Sequence, residues 1–300
     1  MDALALKPDG VYVDATAGGG GHFSEIVSRL DNKGIALGID RDPDAIAWCQ
    51  SRIGHPAASV ILEQSPFSRL DSVLDAHKIS AIDGLLLDLG VSSHQIDDGS
   101  RGFSYMQDAA LDMRMDPSHG VSAADFLAGT EEGELAGVLS SYGDIHHSLR
   151  MARAFKRSMA KKALRTSRDV VQCLKDEYGS ALPISVIARV FQAIRIAVND
   201  ERSELSACLS RALSYVKKGG RIVVISYHSL EDRIVKTFIR DNEHPCHCPP
   251  SIPYCTCGKK ILLKRINRKI IVPTDAEVRT NPRARSARMR VAEKVIDEQD

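Results

Sequence analysis

The segment Val11-Tyr12-Val13-Asp14-Ala15-Thr16-Ala17-Gly18-Gly19-Gly20-Gly21-His22 constrains this chain more than any other. It reads as a short buried strand, a turn of four glycines, and a helix opening near His22-Phe23-Ser24-Glu25. Glycines belong where the backbone takes φ > 0 or lies directly against a ligand. A strand running into such a turn at a helix N-terminus is the usual nucleotide-binding corner of an open α/β sheet. The dinucleotide fingerprint Gly-x-Gly-x-x-Gly fails here, because its sixth position falls on Phe23 from Gly18 and on Ser24 from Gly19. A second strand, Gly34 to Asp40, ends in an acid about 20 residues past the glycines, where a carboxylate accepts hydrogen bonds from both ribose hydroxyls. A glycine turn and a ribose acid without the third glycine suit S-adenosylmethionine (AdoMet) better than NAD.

The pattern continues as alternating strand and helix. Asp42-Pro43 opens a helix with proline in its first turn. Ser59 to Glu63 is a third strand, and Phe67, Leu70, Val73 and Leu74 mark another helix. Ile82 to Gly90 is a continuous apolar run ending in Asp88, as expected for a central parallel strand. This order predicts an α/β fold on a parallel sheet with right-handed crossovers, its ligands collecting at the carboxyl strand ends. Asp14, Asp40 and Asp88 all stand at such ends. Between about Phe103 and Asn199 helical periodicity replaces the strands, and Thr166 to Asp169 has the form of a capping box. The expected organisation is a first segment of the sheet domain over 1–102, an inserted all-helical domain over 103–200, and a second segment of the sheet domain over 201–300. Within the last, Gly220 to Ser226 returns as a strand and Ser229 with Asp232 forms a second capping-box pattern. Ile261-Leu262-Leu263 and Ile270-Ile271-Val272 are expected to pair as closing antiparallel strands, ahead of a basic tail.

Net charge is only +1, which conceals an asymmetry. Eleven lysines and arginines lie between Lys259 and Arg290 against only Asp275 and Glu277, so the rest of the chain is net acidic and the basic end suits a polyanion partner. No apolar run is long enough to span a bilayer. Met1 to Gly10 lacks the charged and apolar regions of a signal peptide. Seven cysteines without an export signal are expected to be thiols in the cytoplasm.

Seven segments in order, Asp14 to His22, Asp88-Leu-Gly-Val-Ser-Ser93, Arg101-Gly-Phe-Ser104, Leu111 to Asp116, Arg195-Ile-Ala-Val-Asn199, His228 to Arg233 and Asn281 to Ser286, resemble the bacterial 16S rRNA (cytosine-N4)-methyltransferase family, RsmH/MraW. The resemblance runs from about Gly10 to Lys294. It implies a Rossmann-like AdoMet-dependent methyltransferase domain with an inserted all-helical domain, the inserted part lying over 103–200 and the methyltransferase parts over 1–102 and 201–300, acting on the exocyclic amine of one cytosine in the decoding region of the small ribosomal subunit. It further implies AdoMet contacts at Gly20, Gly21, His22, Asp40, Phe67, Asp88 and Gln95. There are departures: the chain starts almost at its first strand, where the family carries a His-x-Pro-Val-Leu segment, and Tyr142-Gly143 is followed by Asp144-Ile145 rather than two glutamates.

A sulfonium methyl is already electrophilic, so the protein must chiefly align the nitrogen with it. Cytosine N4 is a poor nucleophile, and an acceptor on its N–H makes it a better one. Asp88 is the first candidate for that acceptor, with cofactor binding as its other role. Ser92, Ser93, Asn199 and His228 are further candidates for contacting the base, and helix capping is the competing role of His228. The target must leave its stack, and Phe103, Tyr105 and Tyr227 are candidates to receive it, against ordinary core packing. The 16S rRNA within the small subunit is the expected partner, the Lys259–Arg290 stretch its phosphate contact, and no membrane is involved; a homodimer is left open. Cys246-x-Cys248 and Cys255-x-Cys257 offer four thiols for tetrahedral zinc. These pairs are tighter than the common Cys-x-x-Cys knuckle, so no metal ligand is assigned.

Overall fold

A computed structural model of the protein describes residues 1–249, 254 and 256–296. Seven strands form one sheet: β1 (Val11–Asp14), β2 (Ile35–Asp40), β3 (Ser59–Gln64), β4 (Ile82–Asp88), β5 (Val216–Ser226), β6 (Leu263–Arg265) and β7 (Arg288–Lys294). Their order is β3-β2-β1-β4-β5-β7-β6. β1 to β5 are parallel, and β7 runs antiparallel to both β5 and β6. The order reverses between β1 and β4, and a reversal of this kind opens the crevice in which such sheets bind ligands. Helices α1 (Gly21–Ser28), α2 (Pro43–Arg52) and α3 (Leu70–Ala76) follow the first three strands. Next come α4 (Ser93–Asp97), α5 (Ala123–Gly129), α6 (Glu132–Gly143), α7 (Ser148–Met159), α8 (Ser167–Tyr178) and α9 (Ile184–Val198). α10 (Glu201–Tyr215), α11 (Ser229–Glu243) and α12 (Asp275–Thr280) complete the set. Among the described residues no helix is long and apolar enough to cross a membrane.

The chain divides into two compact units, Met1–Gly90 with Arg202–Asp300, and Val91–Glu201. The sheet belongs to the first. Its strands alternate between two cores: Leu85 and Leu87 pack with Val13, Leu37 and Ile222 on one face, while Leu86 packs with Tyr12, Ala36 and Val223 on the other. Every residue of β4 before Asp88 is buried, which is why the strand shows no polar alternation. Gly38 lets α1 approach the sheet: a Cβ there would sit 2.7 Å from Leu62 Cδ2 and 3.1 Å from the Phe23 ring. Asp42 caps α2 by accepting from the Asp44 amide at 3.0 Å, with Pro43 behind it.

The closing edge differs from the sequence expectation. β6 pairs with β7, not with Ile270–Val272, and Ile271 makes only an isolated bridge to Met289. The supposed tail is therefore partly a sheet strand. Its charges disguise it, because they are neutralised inside. Arg290 donates to both oxygens of Asp232, at 2.6 and 3.0 Å, and the buried Lys294 donates to the Leu213 carbonyl at 2.6 Å. A buried charge is retained only with such partners.

The second unit has its own core, built from Leu127, Leu135, Leu139, Phe155, Val170, Phe191 and Ile194 among others. Thr166 and Asp169 form a complete capping box at the start of α8. The unit begins at Val91 rather than 103, since the buried Arg101 donates to the carbonyls of Arg114 and Met115 inside it.

Candidate functional site

The sheet register sets out the site. Asp14 pairs with Gly38 on one side and Leu86 on the other, so Asp40 and Asp88 both stand two residues further along, about 6–7 Å beyond. The segment leaving β1 is stitched between these neighbours: the Ala15 amide donates to the Leu86 carbonyl and the Ala17 amide to the Ile39 carbonyl, both at 2.9 Å. Thr16 ties the tips together. Its hydroxyl accepts from the Asp88 amide at 2.6 Å and, with its own amide, donates to Asp14 Oδ1.

The glycine turn then closes over Asp40. The Gly18 amide donates to Asp40 Oδ2 at 2.8 Å, and the Asp42 amide donates to Oδ1 at 2.9 Å. Gly18 and Gly20 take φ of +47° and +76°, which no other residue adopts as cheaply. A Cβ at Gly19 or Gly21 would meet nothing within 4 Å, so the backbone there is open to a ligand's approach, whereas one at Gly20 would press on Cys49 Sγ at 3.2 Å. Gly20 is the N-cap of α1 and no side chain caps that helix.

Asp14 is 1% exposed, and its Oδ2 has no hydrogen-bond partner among the described residues. Burial drives its pKa up to about 7, and burial likewise lifts Asp40 to about 6. Asp88 lies between two groups. The Tyr227 hydroxyl donates to its Oδ1 at 3.0 Å, and His22 Nε2 stands 3.5 Å from its Oδ2. Hydrogen bonding to Asp88 raises His22 above the ordinary imidazole value, and burial beside Asp88 pushes the Tyr227 hydroxyl up. Phe67 is half-buried just past β3, whose last residue, Gln64, pairs with Asp40. An uncompensated buried carboxylate, open glycine backbone and a half-buried aromatic beside a carboxylate fit a cationic nucleoside such as AdoMet.

Other expected site residues are engaged in local contacts. His228 is the N-cap of α11: its ring accepts from the Glu231 amide at 3.5 Å, and Nε2 lies 3.0 Å from Glu231 Oε1. The cap is thus His228 with Glu231, not Ser229 with Asp232, because Asp232 is committed to Arg290. In the second unit Asn199 is a buried staple. Its Oδ1 accepts from the Met115 amide at 2.8 Å, and its Nδ2 donates to the carbonyls of Met113 and Arg195. Ser92 and Gln95 bond each other reciprocally, the Ser92 amide to Gln95 Oε1 at 2.9 Å and the Gln95 amide to Ser92 Oγ at 3.2 Å. Tyr105 packs edge-on to Phe191 at 5.7 Å between ring centres, and Phe103 lies against the same core. Sequence reasoning placed Asp14 at a ligand-collecting strand end without assigning it a contact, and it missed the bond from Tyr227 to Asp88. The strand end was signalled by an acid before the glycines; the bond, spanning 139 residues, had no local signal.

A parallel sheet reversing at β1 and β4, a glycine turn at that reversal and acids on three strand tips define a Rossmann-like, AdoMet-dependent methyltransferase. The MraW methylase family matches residues 1–295. The chain is 45% identical over 299 residues to the ribosomal RNA small subunit methyltransferase H of Geotalea uraniireducens, covering 97% of this chain and 95% of that protein. The same-named proteins of Heliobacterium mobile and Clostridioides difficile are each 42% identical, with 98% of this chain and 96% of theirs covered. Among solved structures, an rRNA methylase from Streptococcus thermophilus aligns over 98% of this chain and 93% of that one, with 11% identity and a TM-score of 0.42. The chain belongs to the MraW methylase family.

Proposed function

We propose that the protein methylates the N4 amine of a cytosine in 16S rRNA of the small ribosomal subunit, using AdoMet. The observation that carries the reading is the Asp14–Thr16–Asp88 chain beneath an open glycine turn, with Asp88 held by Tyr227 beside it. The substrate comes from the family and from the names of its 41–45% identical relatives.

Asp40 would hold the AdoMet ribose, accepting from its hydroxyls through the lone pairs its two backbone donors leave over. Asp14 Oδ2 would hold the ammonium of AdoMet's methionyl group, whose charge its burial demands. Gly19, Gly20 and Gly21 let the chain lie against the ligand, and Phe67 flanks the base. AdoMet supplies an electrophilic methyl carbon. Asp88 accepts a hydrogen bond from the target N4–H, localising the nitrogen lone pair, and takes the proton that the methylated nitrogen sheds. Tyr227 fixes the carboxylate for that task, and His22 is positioned to relay the proton. Gln95 enters this reading through the family resemblance alone. Lys259, Lys260, Lys264, Arg268, Lys269, Arg279, Arg283 and Arg285 are exposed and provide phosphate contacts, so binding should weaken as salt rises.

Labelled-methyl transfer from AdoMet to small subunits lacking the modification, with nucleoside mapping, tests the proposal. N4-methylcytidine is the expected product; label in another nucleoside, or none above background, rejects it.

A further inference from the structure

Cys246, Cys248 and Cys257 bring their Sγ atoms within 4.8 Å of one another. They lie in the stretch between α11, which ends at Glu243, and β6, which begins at Leu263. The described residues from His244 to Leu262 form no helix or strand; none is buried and most are exposed, Tyr254 by 82%. Apolar burial therefore cannot be what gathers three sulfurs there. A segment without a core of its own is commonly held by a metal or by disulfides.

We propose that these three thiolates hold a structural zinc ion. Zinc binds sulfur at about 2.3 Å in a tetrahedron, which places its sulfurs about 3.8 Å apart, so the observed cluster needs only a small contraction. Thiolate-rich tetrahedral sites select zinc among the common divalent ions. The three described thiols carry the inference. Cys255, two residues from Cys257 in sequence, lies outside the described residues; it is the chain's remaining thiol in this stretch. In sequence two ligands precede and one follows residues 249–253, so the ion links the end of α11 to the approach to β6. It also fixes the root of the exposed basic stretch that starts at Lys259. The site is structural: nothing in the proposed methyl transfer requires the metal.

The test is metal content of the full chain purified without chelator, by mass spectrometry of the metal, with a colorimetric zinc dye following release by a thiol-blocking mercurial. The expected result is roughly one zinc per chain, released as the cysteines are blocked, since each structural site holds a single ion. Cys246→Ser with Cys257→Ser should abolish zinc retention while AdoMet binding by calorimetry stays within twofold of wild type. If that variant does not fold, cobalt substitution of the wild type decides: thiolate-to-cobalt charge-transfer bands support the site. A zinc-free protein that takes up neither zinc nor cobalt overturns the proposal. So does an intact-mass shift showing these cysteines paired as disulfides.

Discussion

Replacing Asp40 by alanine removes the acceptor of two backbone donors at once, the Gly18 amide at 2.8 Å and the Asp42 amide at 2.9 Å. Hydrogen bonds to a charged acceptor contribute about 1.5–3 kcal/mol each. Asp40 is half-buried, so water recovers part of this, and the lower end applies. The loss divides between fold stability and ligand affinity, because AdoMet binding must then order a loosened turn and also forgo the ribose contact. We expect the AdoMet dissociation constant to rise at least tenfold, equivalent to about 1.4 kcal/mol. Asp40→Asn is not a benign control. Its amide must point one N–H at a backbone N–H, which costs about 1–3 kcal/mol. Calorimetric titration with AdoMet at pH 8, paired with thermal melts, separates affinity from stability. An Asp40→Ala protein with unchanged dissociation constant and unchanged melting temperature would refute the account of the turn.

Other expectations follow from the same geometry. Asp88→Asn should lower methyl transfer at least a hundredfold, within the range removed with a general acid–base group, while AdoMet still binds by calorimetry; loss of AdoMet binding instead would assign Asp88 to the cofactor. Tyr227→Phe frees Asp88 Oδ1 of its 3.0 Å donor and should lower the turnover rate about tenfold with little change in AdoMet affinity. Asp14 and Asp40 have folded pKa values near 7 and 6, above the unfolded 3.8, so they take up protons on folding between these limits. Their contribution to ligand-free stability is then fullest below about 4 and is lost as pH rises through 6 to 7. Since the ligand's cationic group needs an ionised Asp14, AdoMet affinity should weaken as pH falls from 8 to 6, and Asp14→Asn should flatten that profile; equal slopes would contradict the assignment. Arg290→Ala removes both short hydrogen bonds to the buried Asp232 and leaves it only Arg288, 3.7 Å from its Oδ2, and should cost about 1.5–3 kcal/mol of unfolding free energy by denaturant titration.

The sheet was legible because its evidence is local and periodic. β1 to β4 each read as an apolar run ending in an acid or a turn, and the glycine turn fixed where α1 begins to within a residue. β7 was not legible. Arg288, Arg290 and Lys294 look like a solvated basic tail until Asp232 and the Leu213 carbonyl are brought beside them, and no local pattern announces those partners. The cap of α11 was misplaced for a related reason: Ser229 and Asp232 have the right spacing, but Asp232 is claimed by a strand 58 residues away. At the site, residue type and strand position marked Asp40 and Asp88. They did not reveal that Asp40 also braces the glycine turn, nor that Thr16 and Tyr227 position the carboxylates. Those roles depend on register between strands that the linear order does not print. Asn199 entered as a candidate for contacting the base, and its amide clamps Met113 and Met115, two contacts 86 and 84 residues away that no local pattern announces.

The most direct measurement is a crystal structure of the protein grown with AdoMet. The account predicts ligand density over Gly18–Gly21, with the ribose on Asp40, the ammonium on Asp14 Oδ2 and the methyl toward Asp88. Density elsewhere, or a ligand that leaves Asp14 and Asp40 untouched, would contradict it.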